Sequence, residues 1–118
     1  NGVEGVIEAR GGSWYEPVMP PSSADPRGSF FDVIIATPPQ TPGFRSFGPR
    51  YGGEDGTSNL VKVIEGAPSL LEKGEGRLWM LAISLANPTL LMERVHRHFA
   101  DVSIVGETER PFAACEYE

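Results

Sequence analysis

A single cysteine, Cys115, is all the thiol chemistry that the 118-residue chain carries. That excludes an internal disulfide framework and any multi-cysteine zinc site. Positive charge is scarce too: ten Lys and Arg stand against sixteen Asp and Glu, for a net charge of −6. Affinity for nucleic-acid phosphates comes mostly from Lys and Arg, so the chain by itself makes a poor clamp for DNA or RNA. No apolar run approaches the roughly 18–20 residues of a membrane span, and no basic-then-apolar leader opens the chain. A strand, Gly-rich turn and helix in succession is missing as well: Gly11-Gly12 runs into Ser-Trp-Tyr-Glu-Pro, which does not continue as a helix. The first residue is Asn1 rather than methionine, and the expectation is a soluble piece of a longer intracellular protein.

What is present suits one ordered domain over residues 1–118. Fourteen glycines and eleven prolines are many, yet they fall below the range of a low-complexity chain, and 40% hydrophobic residues can supply a modest core. Val3, Val6, Ile7 and Ala9 suggest a short extended segment over 2–10. Residues 11–29 hold Pro17, Pro20, Pro21 and Pro26 and read as a long surface connection. The run Phe30-Phe31-Asp32-Val33-Ile34-Ile35-Ala36 reads as a strand apolar on both faces, as a covered parallel sheet requires, and it stops at Thr37-Pro38-Pro39. Residues 38–57 form a second long loop without periodicity, and loops of that length are commonly functional. Ser58 can cap a helix with Leu60, Val61, Ile64, Ala67 and Leu71 on its apolar face. Pro68 kinks that helix or restarts it as a final turn. Residues 78–83 predict a second buried strand, with Trp79 and Met80 in the core. Asn87-Pro88 predicts a capped helix that buries Leu91, Met92, Val95 and Phe99. Residues 101–105 and 111–117 predict a closing antiparallel hairpin, with Cys115 as a small core residue on its second arm. The order is that of an α/β domain with a mainly parallel sheet and an antiparallel finish.

Ligands of open α/β sheets collect beyond the carboxyl ends of the strands, where Thr37-Pro38-Pro39-Gln40 emerges. Two prolines fix φ and offer carbonyls without N–H groups. The segment FDVIIATPPQTPG resembles the Asp-x-(apolar)-x-x-Asn-Pro-Pro-Tyr motif of class I S-adenosylmethionine-dependent methyltransferases that act on exocyclic or amide nitrogen. Downstream, YGGEDGTSNLVKVIEGAPSLLEKGEGRLWML is similar to the Gly-Gly-x-Asp-Gly, helix, strand stretch of the enzymes that methylate release-factor glutamine. Their ribosomal-RNA-modifying relatives share much of it. The ending HRHFADVSIVGETERPFAACEYE looks like that family's last helix and hairpin.

The resemblance spans roughly residues 30–118. It implies the carboxyl-terminal part of a Rossmann-like methyltransferase sheet with helices on both faces. By that resemblance Thr37 and the Pro38 carbonyl hold the methyl acceptor, and Thr37 also borders the cofactor, S-adenosylmethionine. Pro39, Gln40, Phe44, Arg50 and Tyr51 contact the substrate, a protein or RNA nitrogen. Thr37 stands where the family has Asn, and Gln40 where it has an aromatic ring, so hydrogen bonding replaces stacking at that position. An amide or aromatic amine is a poor nucleophile because its lone pair is delocalised. Acceptors on its N–H groups orient that pair for attack, a gain of proximity and orientation.

The missing first half of the fold would be a partner in the same chain, and a dimer through an exposed sheet edge is a further expectation. The fragment alone is expected to be inactive, and the setting cytoplasmic with no membrane contact. Phe44, Arg45, Phe47, Arg50 and Tyr51 can equally form a substrate lid or a solvated loop. His96 and His98 lie two apart on a helix and point in different directions, so no metal site is expected. Two other classes compete: a non-catalytic methyltransferase-like interaction module, and part of a nicotinamide-dependent reductase, which the absent glycine fingerprint disfavours.

Overall fold

Strand β1 (Val33–Ala36), helix α1 (Ser58–Gly66), strand β2 (Arg77–Met80) and helix α2 (Pro88–His98) follow one another along the chain. The computed structural model describes residues 5–19, 31–43 and 48–111. β1 and β2 pair in parallel, with Val33 opposite Arg77, Ile34 opposite Leu78, Ile35 opposite Trp79 and Ala36 opposite Met80. A further parallel bridge joins Phe31 to Leu71 ahead of the ladder. This is a small α/β unit with a two-stranded parallel sheet among the described residues.

The core forms where the two helices meet the sheet. Leu60 and Ile64 of α1, Ala86 and Leu91 of α2 and its approach are buried together, and Met80, Ile83, Val95 and Phe99 pack against them. Leu60 and Ile64 sit four residues apart, one turn above the other on a single face. Ala67 and Leu71 are buried as the apolar spacing predicted; Val63 and Leu70 are buried as well, while Val61 is only half-buried. Pro68 does restart the chain, as a 3-10 turn over Ala67–Ser69.

Asn87 caps α2 as predicted: its side-chain oxygen accepts the Leu90 N–H at 3.3 Å, and Pro88 takes the first helical position. Ser58 does not cap α1. It is the first helical residue, and Thr57 is the N-cap.

Several expectations need correction. Both strands alternate exposed and half-buried residues rather than hiding both faces. Each helix contributes to the one cluster that includes Met80, so among the described residues no helix covers the face bearing Val33, Ile35 and Trp79. Trp79 is therefore 44% exposed where burial was predicted, and Met92, on α2, is 42% exposed. Of the segment 2–10 read as extended, residues 5–10 are exposed and carry no named strand, only a one-residue β-bridge at Ile7, and residues 2–4 lie outside the described residues. Residues 99–111 form no strand either, while the hairpin's second arm with Cys115 lies outside the described residues.

The amino-terminal segment lies on α1. A 3-10 turn spans Glu16–Val18, the Tyr15 hydroxyl donates to the Val63 carbonyl at 2.9 Å, and the Lys62 ammonium sits 4.7 Å from the Trp14 ring centroid. Burial raises the Tyr15 phenol above its ordinary pKa.

Candidate functional site at the strand exits

Both strands end at the same edge, and both helices begin there. Three polar side chains tie this edge together, beginning with Gln40. It is 8% exposed, its Nε2 donates to the Leu81 carbonyl at 3.1 Å, and its Oε1 accepts the Ile83 N–H at 2.7 Å. The opposite amide orientation would set two donors and two acceptors against each other, so this network fixes which atom is which.

Asn59, in the first turn of α1, donates to the Pro39 carbonyl at 2.9 Å and to the Tyr51 carbonyl at 3.2 Å. Asp55 lies between the two helix amino termini. Its Oδ1 accepts the Thr57 hydroxyl at 2.6 Å and the Thr57 N–H at 3.0 Å, and its Oδ2 accepts from the Asn87 amide at 3.1 Å. The Thr57 hydroxyl first, then the Thr57 N–H and Asn87, hold the Asp55 carboxyl below its ordinary pKa. A carboxylate at two helix starts is also favoured by their partial positive charge.

The loop between the strand exit and α1 is built on its own pairing. Thr41 bridges to Tyr51, with Thr41 N–H donating to the Arg50 carbonyl at 3.2 Å and Gly52 N–H returning to Thr41 at 3.0 Å. Gly52 is required by close approach: a Cβ there would run into the Gly56 carbonyl and the Gln40 backbone. The Tyr51 ring packs over Gly43, and the Arg50 guanidinium stacks on that ring at 5.0 Å while donating to its hydroxyl at 2.8 Å.

The predicted site residues fall into distinct groups. Thr37 and Pro39 are exposed, and Pro38 is half-buried. Among the described residues nothing bonds the Thr37 hydroxyl, and the Pro38 carbonyl has one long contact, 3.4 Å from Gln40 Nε2. Gln40 faces inward, so its amide is spent on the protein and not offered at the surface. Arg50 is exposed and Tyr51 half-buried, on the return arm of the loop. Asn59 brings the Pro39 and Tyr51 ends of that loop together; Phe44 lies outside the described residues. His96 and His98 are exposed on α2, and no cluster of metal-ligating side chains occurs among the described residues.

Asn59 and Asp55 escaped the sequence reading, which took Gly52-Gly53-Glu54-Asp55-Gly56 as a motif or turn. An Asp two residues before a Thr N-cap, and an Asn facing back over the loop from a helix's first turn, are the local signals for both. At the other end of β1 an open apolar groove of about 230 Å³ runs between Tyr15, Val18, Phe31, Val33, Ile34 and Leu70. Its one polar side chain among these, Tyr15, already donates its hydroxyl proton to the Val63 carbonyl.

No helix among the described residues is long and apolar enough to cross a membrane. The chain matches no protein-family model, no curated protein and no solved structure.

Proposed function

We propose that this chain is the carboxyl-terminal part of an S-adenosylmethionine-dependent methyltransferase acting on an amide or amino nitrogen of a protein or RNA. The observation that carries the reading is the β1 exit. There an exposed Thr37 and a Pro38 carbonyl with, among the described residues, only one long contact stand together at the carboxyl edge of a parallel sheet. Ligands of such sheets collect at that edge. The β–α–β–α order on either side agrees with the resemblance read from the sequence.

On this reading Thr37 and the Pro38 carbonyl accept the N–H groups of the acceptor nitrogen. Holding those hydrogens turns the lone pair toward its target and removes much of the entropic barrier. Arg50 and Tyr51, rigid against each other, border the incoming substrate.

The described residues do not by themselves fit S-adenosylmethionine. The glycine pair Gly11-Gly12 leads into a 3-10 turn, and the space a Cβ would take at Gly12 is filled by the Pro17 ring rather than left for a ligand. Cofactor binding on this reading requires residues beyond these, and a cytoplasmic location goes with it.

Calorimetric titration of S-adenosylmethionine tests the proposal. The 118-residue chain should give no heat, and a longer gene product containing it should bind at micromolar concentration. In that longer protein Thr37→Val should lower turnover at least tenfold. Heat from neither protein would sink the enzyme reading.

A second reading then takes its place, a non-catalytic interaction module. Gln40 favours it, because the residue at the family's stacking position is turned away from the surface. The exposed face of Val33, Ile35, Trp79 and Leu81 points the same way.

A further inference from the structure

The β1–β2 ladder has a regular beat that can be followed past its last strand residue. The Asp32 carbonyl accepts the Arg77 N–H at 2.9 Å, and the Ala36 carbonyl accepts the Leu81 N–H at 3.3 Å. In a parallel pair, every second residue bonds across to the two residues flanking its partner. The register sets Ala36 opposite Met80, so position 38 falls opposite Ala82. A residue there would donate to the Leu81 carbonyl and accept from the Ile83 N–H. Pro38 has no N–H to give. The side-chain amide of Gln40 makes those two bonds instead, to Leu81 at 3.1 Å and from Ile83 at 2.7 Å.

We propose that Gln40 replaces Pro38 in the β1–β2 ladder, and that this releases the Pro38 carbonyl to receive an N–H donor from a ligand. Gln40 is thus a positioning residue. The choice of an amide or amine as that ligand rests on the methyltransferase reading; the ladder replacement does not.

The structure contains its own control in Pro39. Its carbonyl, one residue on, is occupied by Asn59 at 2.9 Å, whereas among the described residues the Pro38 carbonyl has only the 3.4 Å contact. Two adjacent carbonyls of the same chemical type therefore differ in availability. The residues shown against Gln40 are Pro38, Gly52, Gly56, Leu81 and Ile83, and none of them titrates.

Amide exchange and carbonyl shifts by NMR test both halves. Gln40→Leu keeps bulk but removes both bonds, so the protection factor of the Ile83 amide should fall at least tenfold. Gln40→Glu supplies a variant that differs in one proton. As a carboxylate it faces the Leu81 carbonyl with an acceptor, and as a carboxylic acid it regains the donor. Ile83 protection should then be low at pH 8 and return toward the native value at pH 5, while the native protein stays flat over that range. Propionamide, added as the probe, should move the Pro38 carbonyl resonance more than that of Pro39.

Unchanged Ile83 protection in Gln40→Leu, or a Gln40→Glu profile without pH dependence, overturns the ladder replacement. Equal shifts at Pro38 and Pro39 overturn the released carbonyl. A protein that passes all three tests, in a longer gene product that fails to bind S-adenosylmethionine, would separate this inference from the methyltransferase reading and keep it.

Discussion

The strand exits and the open sheet face are made from opposite materials. At the exits, Gln40, Asn59, Asp55 and Asn87 place polar atoms at hydrogen-bonding distance from backbone groups and from one another. On the face, Val33, Ile35, Trp79 and Leu81 are 47%, 77%, 44% and 57% exposed. Directional bonds make the first region a fixed shape. The second has only apolar area, which favours any cover of the right size and dictates none in particular. A parallel sheet usually has both faces covered, so the face is where stability is left to be gained and the exits are where position is already set.

Truncation in the core gives the largest contrast. Leu60 is fully buried, so Leu60→Ala should cost about 2–5 kcal/mol through lost transfer energy and a residual cavity. Ile35→Ala on the open face should stay within about 0.5 kcal/mol. Urea unfolding of both variants checks the pair, and a comparable loss in each would mean that the face is covered in solution. Should the sheet associate there or along its edge, Ile35→Lys would lower the mass seen by sedimentation and remove any dependence of the unfolding midpoint on protein concentration.

Next in size is the α2 cap. Asn87→Ala removes the acceptor for Leu90 and a donor to Asp55, and should destabilise by about 1 kcal/mol. Replacing Asn87 with Asp should keep the Leu90 bond yet set two carboxylates together, so it would recover less than a cap alone would return. Thermal melts of the three proteins give the order.

The smallest effect is acid sensitivity at Asp55. Its folded-state pKa lies below the unfolded value, so its contribution is complete above the unfolded value of ~3.9 and is lost as pH falls through the folded one. Asp55→Asn should therefore lower stability slightly at pH 7, change little in strong acid, and so flatten the acid limb of the stability curve below about pH 4. An unaltered limb would show that the carboxylate's charge is immaterial to the exits.

Elements with a local cause were legible in the sequence. The β-branched run gives β1, Asn87-Pro88 gives the start of α2, and the proline at 68 gives the restart after α1. The parallel arrangement of β1 and β2 also follows, because a helix of α1's length fills the connection between them.

Exposure did not follow. An apolar run carries the same letters whether or not a second layer covers it, and Trp79 and Met92 were placed in a core that, among the described residues, lies on one side of the sheet. The exit lock was illegible for a different reason. Gln40 reaches partners 41 and 43 residues away, and only the strand register, a tertiary fact, makes Ala82 the position opposite Pro38. Thr37 and Pro38 were singled out from the sequence because a double proline at the end of an apolar strand is a local signal.

The pairing of Thr41 with Tyr51 separates the ends of the intervening loop from its contents. Its two feet are bonded to each other and held by Asn59, so the cost of closing the loop grows only slowly with the number of residues between them. The length of chain between those feet can thus change at small cost. Insertions or wholesale replacement there would vary what the protein meets, while the strand exits and both helices keep their places.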